Sequence, residues 1–154
     1  MLNDIFNYVQ LTDRVGTSGQ PTPEQFQDIA DAGYKAVINL AMPDSDNALP
    51  NEGNLVSAQG MDYIHIPVPW EAPSPDHLRR FFGAMRCYAG ERVWVHCAMN
   101  LRVSAFMFHY LTGVEQVSED DATSPVIPRW APQMDDTWRE FIDLPREQVK
   151  GLMQ

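Results

Sequence analysis

Cysteine is scarce in this chain. Only Cys87 and Cys97 occur. Two are too few for a disulfide framework, and a reduced, cytoplasmic setting is the expectation. Basic residues are also few: 11 Lys and Arg stand against 21 Asp and Glu, a net charge of -10. That balance argues against nucleic acid and anionic membranes as partners. It also repels a polyanion at long range, so a phosphate site here has to work by local geometry. No apolar run is long enough to span a membrane. The opening MLNDIFNYVQ has no basic n-region and no apolar h-region, so no signal peptide is expected. No spacing of His, Cys and carboxylates suggests a metal site. His65 and His109 read as satisfied core or surface histidines. Repeats, low-complexity segments and linkers are absent too. The 154 residues suffice for one domain, 1–154 with its core at about 16–142, burying roughly 70% of its unfolded surface.

What is present centres on Val93 to Phe106, VWVHCAMNLRVSAF. Val93, Trp94 and Val95 suit a buried strand. His96 and Cys97 follow at once. Then Val103, Phe106, Met107, Tyr110, Leu111 and Val114 recur at helical spacing. Cys97 therefore stands at a strand end, on a tight loop into a helix N-terminus. Such a terminus presents unpaired N–H groups and about half a positive charge, which attracts anions and stabilises a thiolate. Arg102 at its mouth can clamp an oxyanion bidentately; as a plain solvated arginine it would oppose the helix dipole. Cys87 lies off the main stripe of its helix and reads as structural.

Residues 8–18 read as two short strands about a turn. Thr22, Pro23 and Gln25 read as N-cap, first helical residue and capping box of a helix that Gly33 ends. Ala36–Leu40 is a buried-type strand, and 42–50 is loop. A helix over Glu52–Gln59 closes at Gly60, and Tyr63–Val68 is the next strand. Ser74 caps a helix with the core stripe Leu78, Phe81, Phe82 and Met85. After Gly113 comes a short helix near Ser118–Thr123. SPVIPRWAP reads as turns, and a last helix runs from Met134 to Ile142. Trp130, Trp138, Phe141 and Ile142 pin this tail to the body. Strands alternating with helices imply an α/β fold, a mostly parallel sheet flanked by helices, with ligands at the carboxyl ends of the strands.

The strand–HC–loop–Arg–Ser–helix pattern resembles the cysteine-based protein tyrosine and dual-specificity phosphatases. TSGQPTPEQFQDIADAGYKAVINL is similar to a bacterial phosphatase-like branch of that superfamily, of the kind fused to β-lactamase-like hydrolases. The resemblance runs from about Gly16 to Ile142 and implies the protein tyrosine phosphatase-like fold. It implies Cys97 as nucleophile, Arg102 and the loop Ala98, Met99, Asn100, Leu101, Arg102 and Val103 as phosphate holders, and Ser104 as an aid to sulfur departure. His96 is implied as a supporting residue that favours the thiolate. No metal or cofactor is implied, and the partner is a phosphorylated protein or small phosphoester.

The chain departs from the family pattern in three places. The family has Cys-x5-Arg; this chain has Cys97-Ala-Met-Asn-Leu-Arg102, one residue shorter and without glycine. Asn100 is the residue there that best tolerates a left-handed conformation. The usual Asp after the strand Tyr63–Val68 is missing near Trp70, leaving Glu71 as general acid, with Asp76 next. Ala41 stands where the branch often has Arg. Three functions are compatible with these residues: phosphomonoester hydrolysis through phosphocysteine on Cys97, a phosphate-binding pseudophosphatase, and persulfide transfer by Cys97 on a rhodanese-like shortened loop.

Overall fold

Short β-branched and apolar runs build the centre of the molecule. The computed structural model describes residues 1–153; Gln154, counted in the single-domain reading, lies outside them. The strands are β1 (Val9–Gln10), β2 (Val15–Ser18), β3 (Ala36–Asn39), β4 (Asp62–His65) and β5 (Val93–His96). They form one sheet in the order β1-β2-β5-β3-β4. β1 pairs antiparallel with β2, and every other pairing is parallel. β5 is the middle strand, and its last residue, His96, lies level with Ser18 and Asn39. The chain passes from β2 to β3 and leaves the slot between them for β5. The carboxyl end of β5 thus opens at the point where connections diverge to either side, the usual place for a ligand crevice.

Alternation along the strands sorts side chains to two faces. Val37 and Trp94 face a core with Phe26, Ile29 and Val56, covered by α1 (Gln25–Asp31) and α2 (Glu52–Ala58). Ile38, Val93 and Val95 face the larger core, with Leu78, Phe81, Phe82 and Met85 of α3 (Pro75–Cys87) and Val103, Phe106 and Met107 of α4 (Leu101–Gly113). The tail continues as α5 (Glu119–Ala122), α6 (Val126–Trp130), α7 (Asp136–Ile142) and α8 (Arg146–Gly151). It packs against α4 through Trp130, Trp138, Phe141 and Val149. No helix among the described residues is long and apolar enough to cross a membrane.

Four local readings need correction. α1 starts at Gln25, not Pro23, and the Thr22 hydroxyl does not cap it. Only half of the expected box forms: the Thr22 N–H donates to Gln25 Oε1 at 2.9 Å. β4 ends at His65, before Val68. Ile66 and Val68 still donate to Asn39 O and Leu40 O at 2.9 and 3.0 Å, but Pro67 has no N–H to continue the ladder. The SPVIPRWAP stretch is helical: α6 is followed by a 3-10 turn over Ala131–Gln133. Its prolines fall in first turns, where a missing N–H costs nothing. Finally α8 follows the helix expected to be last; it is short and polar, with Val149 its one buried residue. Cys87 is exposed, so it is not part of the core.

Candidate active site

β5 delivers Cys97 to the floor of a cavity of about 180 Å³ lined by Trp70, Cys97, Ala98, Met99, Leu101 and Arg102. The thiol is buried. The loop of Ala98, Met99 and Asn100 turns the chain into α4, a helix of 13 residues. The turn is made at Asn100, with φ 70° and ψ 13°. L-residues other than Gly, Asn and Asp rarely adopt this left-handed region. Helix geometry leaves the N–H groups of Leu101, Arg102 and Val103 without intrahelical partners, so the helix start presents donors to the cavity.

The loop is held from outside. The Ala98 carbonyl accepts from the Gln20 N–H and the Asn47 side chain, both at 3.1 Å. The Met99 carbonyl accepts from Asn7 Nδ2 at 3.1 Å. Asn100 is fully buried. Its Nδ2 donates to Asn7 O at 2.8 Å and to Thr17 Oγ1 at 3.2 Å. Gly19 lies against the same loop. A Cβ there would come within 2.7 Å of Ala98 O, closer than real Cβ atoms come to backbone, and within a tight 3.2 Å of Met99 Cα. Carbonyls tied outward in this way are kept away from an incoming anion.

Arg102, the second residue of α4, is 7% exposed. Its Nε has no hydrogen-bond partner among the described residues, and it enters none of the ion pairs found there. A buried guanidinium nitrogen without a partner is costly, and an anionic ligand in the cavity would satisfy it. Its Cζ lies 5.3 Å from the centre of the Trp70 ring, within cation–π range. Trp70 is backed by the tail: its ring centre is 5.0 Å from Trp138 and 5.7 Å from Trp130. Its carbonyl accepts from Trp138 Nε1 at 2.8 Å. The tail thus sets the wall that faces Arg102.

Behind Cys97 lies a buried polar cluster. His96 is fully buried, with Nδ1 3.1 Å from Cys97 O and Nε2 2.6 Å from Glu52 Oε2. Glu52 is itself buried and accepts from Gln20 Nε2 at 2.6 Å. Burial pushes the Glu52 carboxyl up, but the His96 ring, Gln20 and Tyr63 outweigh it and hold it below its ordinary value.

Of the residues singled out from sequence, Cys97, Ala98, Met99, Leu101 and Arg102 line one cavity. Asn100 supports it from below, and Val103 turns its side chain into the core. Ser104 Oγ donates to Asn100 O at 2.7 Å. Glu71 is exposed and does not line the cavity, although its neighbour Trp70 does. Asp76 is engaged by Arg79 and Arg80, each at 2.8 Å. His65 and His109 are satisfied by the carbonyls of Ala41 and Phe141, each at 2.7 Å. Sequence reasoning missed Glu52, Gln20, Asn7 and Thr17. Glu52 carried no signal beyond an acidic residue at a helix start, which is ordinary on a surface.

The family model described as "DSP-PTPase phosphatase fused to NAD+ Kinase" matches residues 8–143. A DUF442 phosphatase candidate of Shewanella putrefaciens CN-32 superposes with a TM-score of 0.84 at 32% identity, over 97% of this chain and 95% of that one. The beta-lactamase hydrolase-like protein of Xylella fastidiosa is 31% identical over 110 residues, 69% of this chain and 25% of that protein. The chain therefore spans about a quarter of the length of the curated relative it matches. P. aeruginosa TpbA, solved in complex with pTyr, has a TM-score of 0.71 over 96% of this chain and 90% of its own, at 12% identity. That likeness concerns the fold alone.

Proposed function

From the premise that the chain belongs to this DSP-PTPase phosphatase family, we propose that it hydrolyses a phosphomonoester through a phosphocysteine on Cys97. One observation carries the reading: a cysteine lining a cavity, at the start of a helix, beside a buried arginine whose Nε lacks a partner among the described residues.

The Cys97 thiolate attacks phosphorus as the bond to the leaving oxygen breaks. Arg102 and the N–H groups of the loop over residues 98–103 hold the remaining phosphoryl oxygens, where charge is spread in the transition state. Glu71 gives a proton to the leaving oxygen, which departs as an alcohol or phenol. Glu71 then takes a proton from water as that water attacks phosphorus, and the S–P bond breaks with its electron pair returning to sulfur. Ser104 assists that departure once its hydroxyl turns from Asn100. The products are the dephosphorylated alcohol and inorganic phosphate. The substrate is a phosphorylated protein or small phosphoester, met in the cytoplasm.

A second reading has an observation of its own. Among the described residues no carboxylate side chain lines the cavity, and this favours a domain that binds phosphate and turns it over slowly or not at all. Hydrolysis of an aryl phosphate between about pH 5 and 8, beside Cys97→Ser, separates the two. The phosphatase reading expects Cys97-dependent release of phosphate and a loss of about 10²–10³ in kcat for Arg102→Ala. Phosphate or vanadate binding without release would establish the binding domain. A persulfide on Cys97 after thiosulfate treatment, with no phosphate release, would mean sulfur transfer.

A further inference from the structure

The cavity over Cys97 continues past Met99. A second cavity, of about 210 Å³, adjoins it and shares Met99 and Leu101 with it as lining residues. Their walls meet as well: the Trp70 ring of the first lies 5.7 Å, centre to centre, from the Trp130 ring of the second. Met99, in the common wall, is 50% exposed. With about 180 Å³ in the first cavity, the two make one groove of the size that a small molecule fills.

The charges along this groove are unlike those elsewhere in the molecule. The chain has 21 Asp and Glu against 11 Lys and Arg, and three other cavities each include a carboxylate: Glu119 in one, Asp28 in another, Glu52 in the third. Among the described residues no acidic side chain lines either half of the groove, and each half has one arginine, Arg102 in the first and Arg129 in the second. Arg129 is held in place by α6. Its Nε donates to Pro125 O at 3.2 Å, and its neighbour Trp130 is buried against Trp70 and Trp138. Its guanidinium enters none of the ion pairs among the described residues. The rest of the second half is apolar, with Leu101, Met99, Val126 and Trp130, apart from the uncharged amides of Asn7 and Gln133.

We infer that the Arg129 half of the groove is a subsite for the body of the substrate, and that it selects small phosphomonoesters whose apolar, ring-sized body carries a carboxylate. The inference rests on the reading of the Cys97 cavity as the phosphoryl site. With the phosphoryl group beside Arg102, the body passes over Met99 and Leu101 and lies against Trp130, and its carboxylate meets Arg129. Arg129 is exposed, so the pair is screened by water and its contribution is modest. Its sign is nevertheless diagnostic. The net charge of -10 repels a ligand with one more negative charge, so a preference for the carboxylate has to come from a local cation.

The full chain is titrated calorimetrically with two arylphosphonates that cannot be hydrolysed. One carries a carboxylate on a short arm opposite the phosphonate, and the other carries the neutral amide there. At about 0.1 M salt the carboxylate is expected to bind about three- to fivefold more tightly. Arg129→Gln is expected to bring the two within about twofold of each other. Lys35→Gln, which removes an exposed cation just before β3, at the end of the sheet opposite Cys97, is expected to keep the preference. Equal or weaker binding of the carboxylate by the unaltered protein, a preference that survives Arg129→Gln, or no binding of either compound overturns the inference. A short peptide with the same phosphonate on an aromatic residue and a glutamate beside it, if it binds more tightly than the small carboxylate, overturns the assignment to small molecules. Phosphate release is read separately from the matching phosphate esters. A carboxylate preference without release leaves the subsite standing and removes the phosphatase reading, and release without the preference does the reverse.

Discussion

Asn100 is the residue on which the loop turns, and replacing it offers a sharp test of how the site is built. Asn100→Ala removes the bonds from Nδ2 to Asn7 O and Thr17 Oγ1, at 2.8 and 3.2 Å. Each is worth about 1 kcal/mol net, more where the partner is left buried and unpaired. The substitution also leaves a β-carbon at φ 70° without the local hydrogen bonding that lets Asn tolerate it, adding about 1–2 kcal/mol of strain. The expected loss is about 2–4 kcal/mol. Asn100→Gly loses the same bonds but relieves the strain, at an unfolded-state entropy cost of about 0.4–1 kcal/mol. Glycine should therefore be the less harmful change, by about 0.5–1 kcal/mol. Urea unfolding with an unchanged m-value reads this directly, since m of about 1–3 kcal/mol/M turns the alanine loss into a midpoint drop of about 1–2 M. Vanadate binding should weaken in parallel, because the carbonyl of Asn100 begins the helix that presents the donors. An alanine variant as stable as the glycine variant, or within about 0.5 kcal/mol of the parent, would refute the argument that strain and buried bonds at this residue shape the loop.

Further predictions concern the cavity wall and the core. Trp70→Ala removes the ring that lies 5.3 Å from the Arg102 Cζ, a contact worth about 0.5–2 kcal/mol. The KM for an aryl phosphate should rise up to about tenfold with a smaller change in kcat, and steady-state kinetics showing an unchanged KM would contradict it. Burial holds the His109 imidazole below its ordinary value of 6.5, against the Phe141 carbonyl, which pulls the other way. The unfolded chain then binds the extra proton more readily, so stability contributed by neutral His109 is present above about pH 6.5 and declines as pH falls toward the folded value. His109→Gln should flatten that decline in urea midpoints taken at about pH 5 and 7.5; parallel slopes for the two proteins would show that His109 is not its source.

The phosphatase resemblance and the layout of strands and helices were legible because both are local. Strand β5, the turn at Cys97 and the stripe of α4 are written in contiguous residues whose periodicity a chain carries with it. The same holds for Ser74, which accepts from the His77 N–H at 3.3 Å as its cap position implies, and for the left-handed Asn100. Element ends were less legible. Pro67 stops the β4 ladder although the backbone runs on beside β3, and α6 and α8 are short helices that the pinning of Trp130 and Val149 sustains more than their own propensities.

What tertiary structure alone decided is how distant polar residues meet. Glu52 reaches His96, 44 residues away, because α2 covers the face of the sheet below β5. Asn7 and Thr17 reach Asn100 across more than 80 residues, and the tail tryptophans bring Trp70 over Arg102. No periodicity encodes such meetings, since they depend on how layers stack and not on any one element. The amino-acid order by itself determined where a nucleophile can stand, at the end of a buried strand and the start of a helix. Packing decided what surrounds it: a buried cation whose Nε is unpaired on one side, a carboxylate–imidazole pair on the other, and an exposed Glu71 outside the cavity wall. The physical reason is that charge is costly to bury, so its partners are chosen by the folded environment and not by neighbours in sequence.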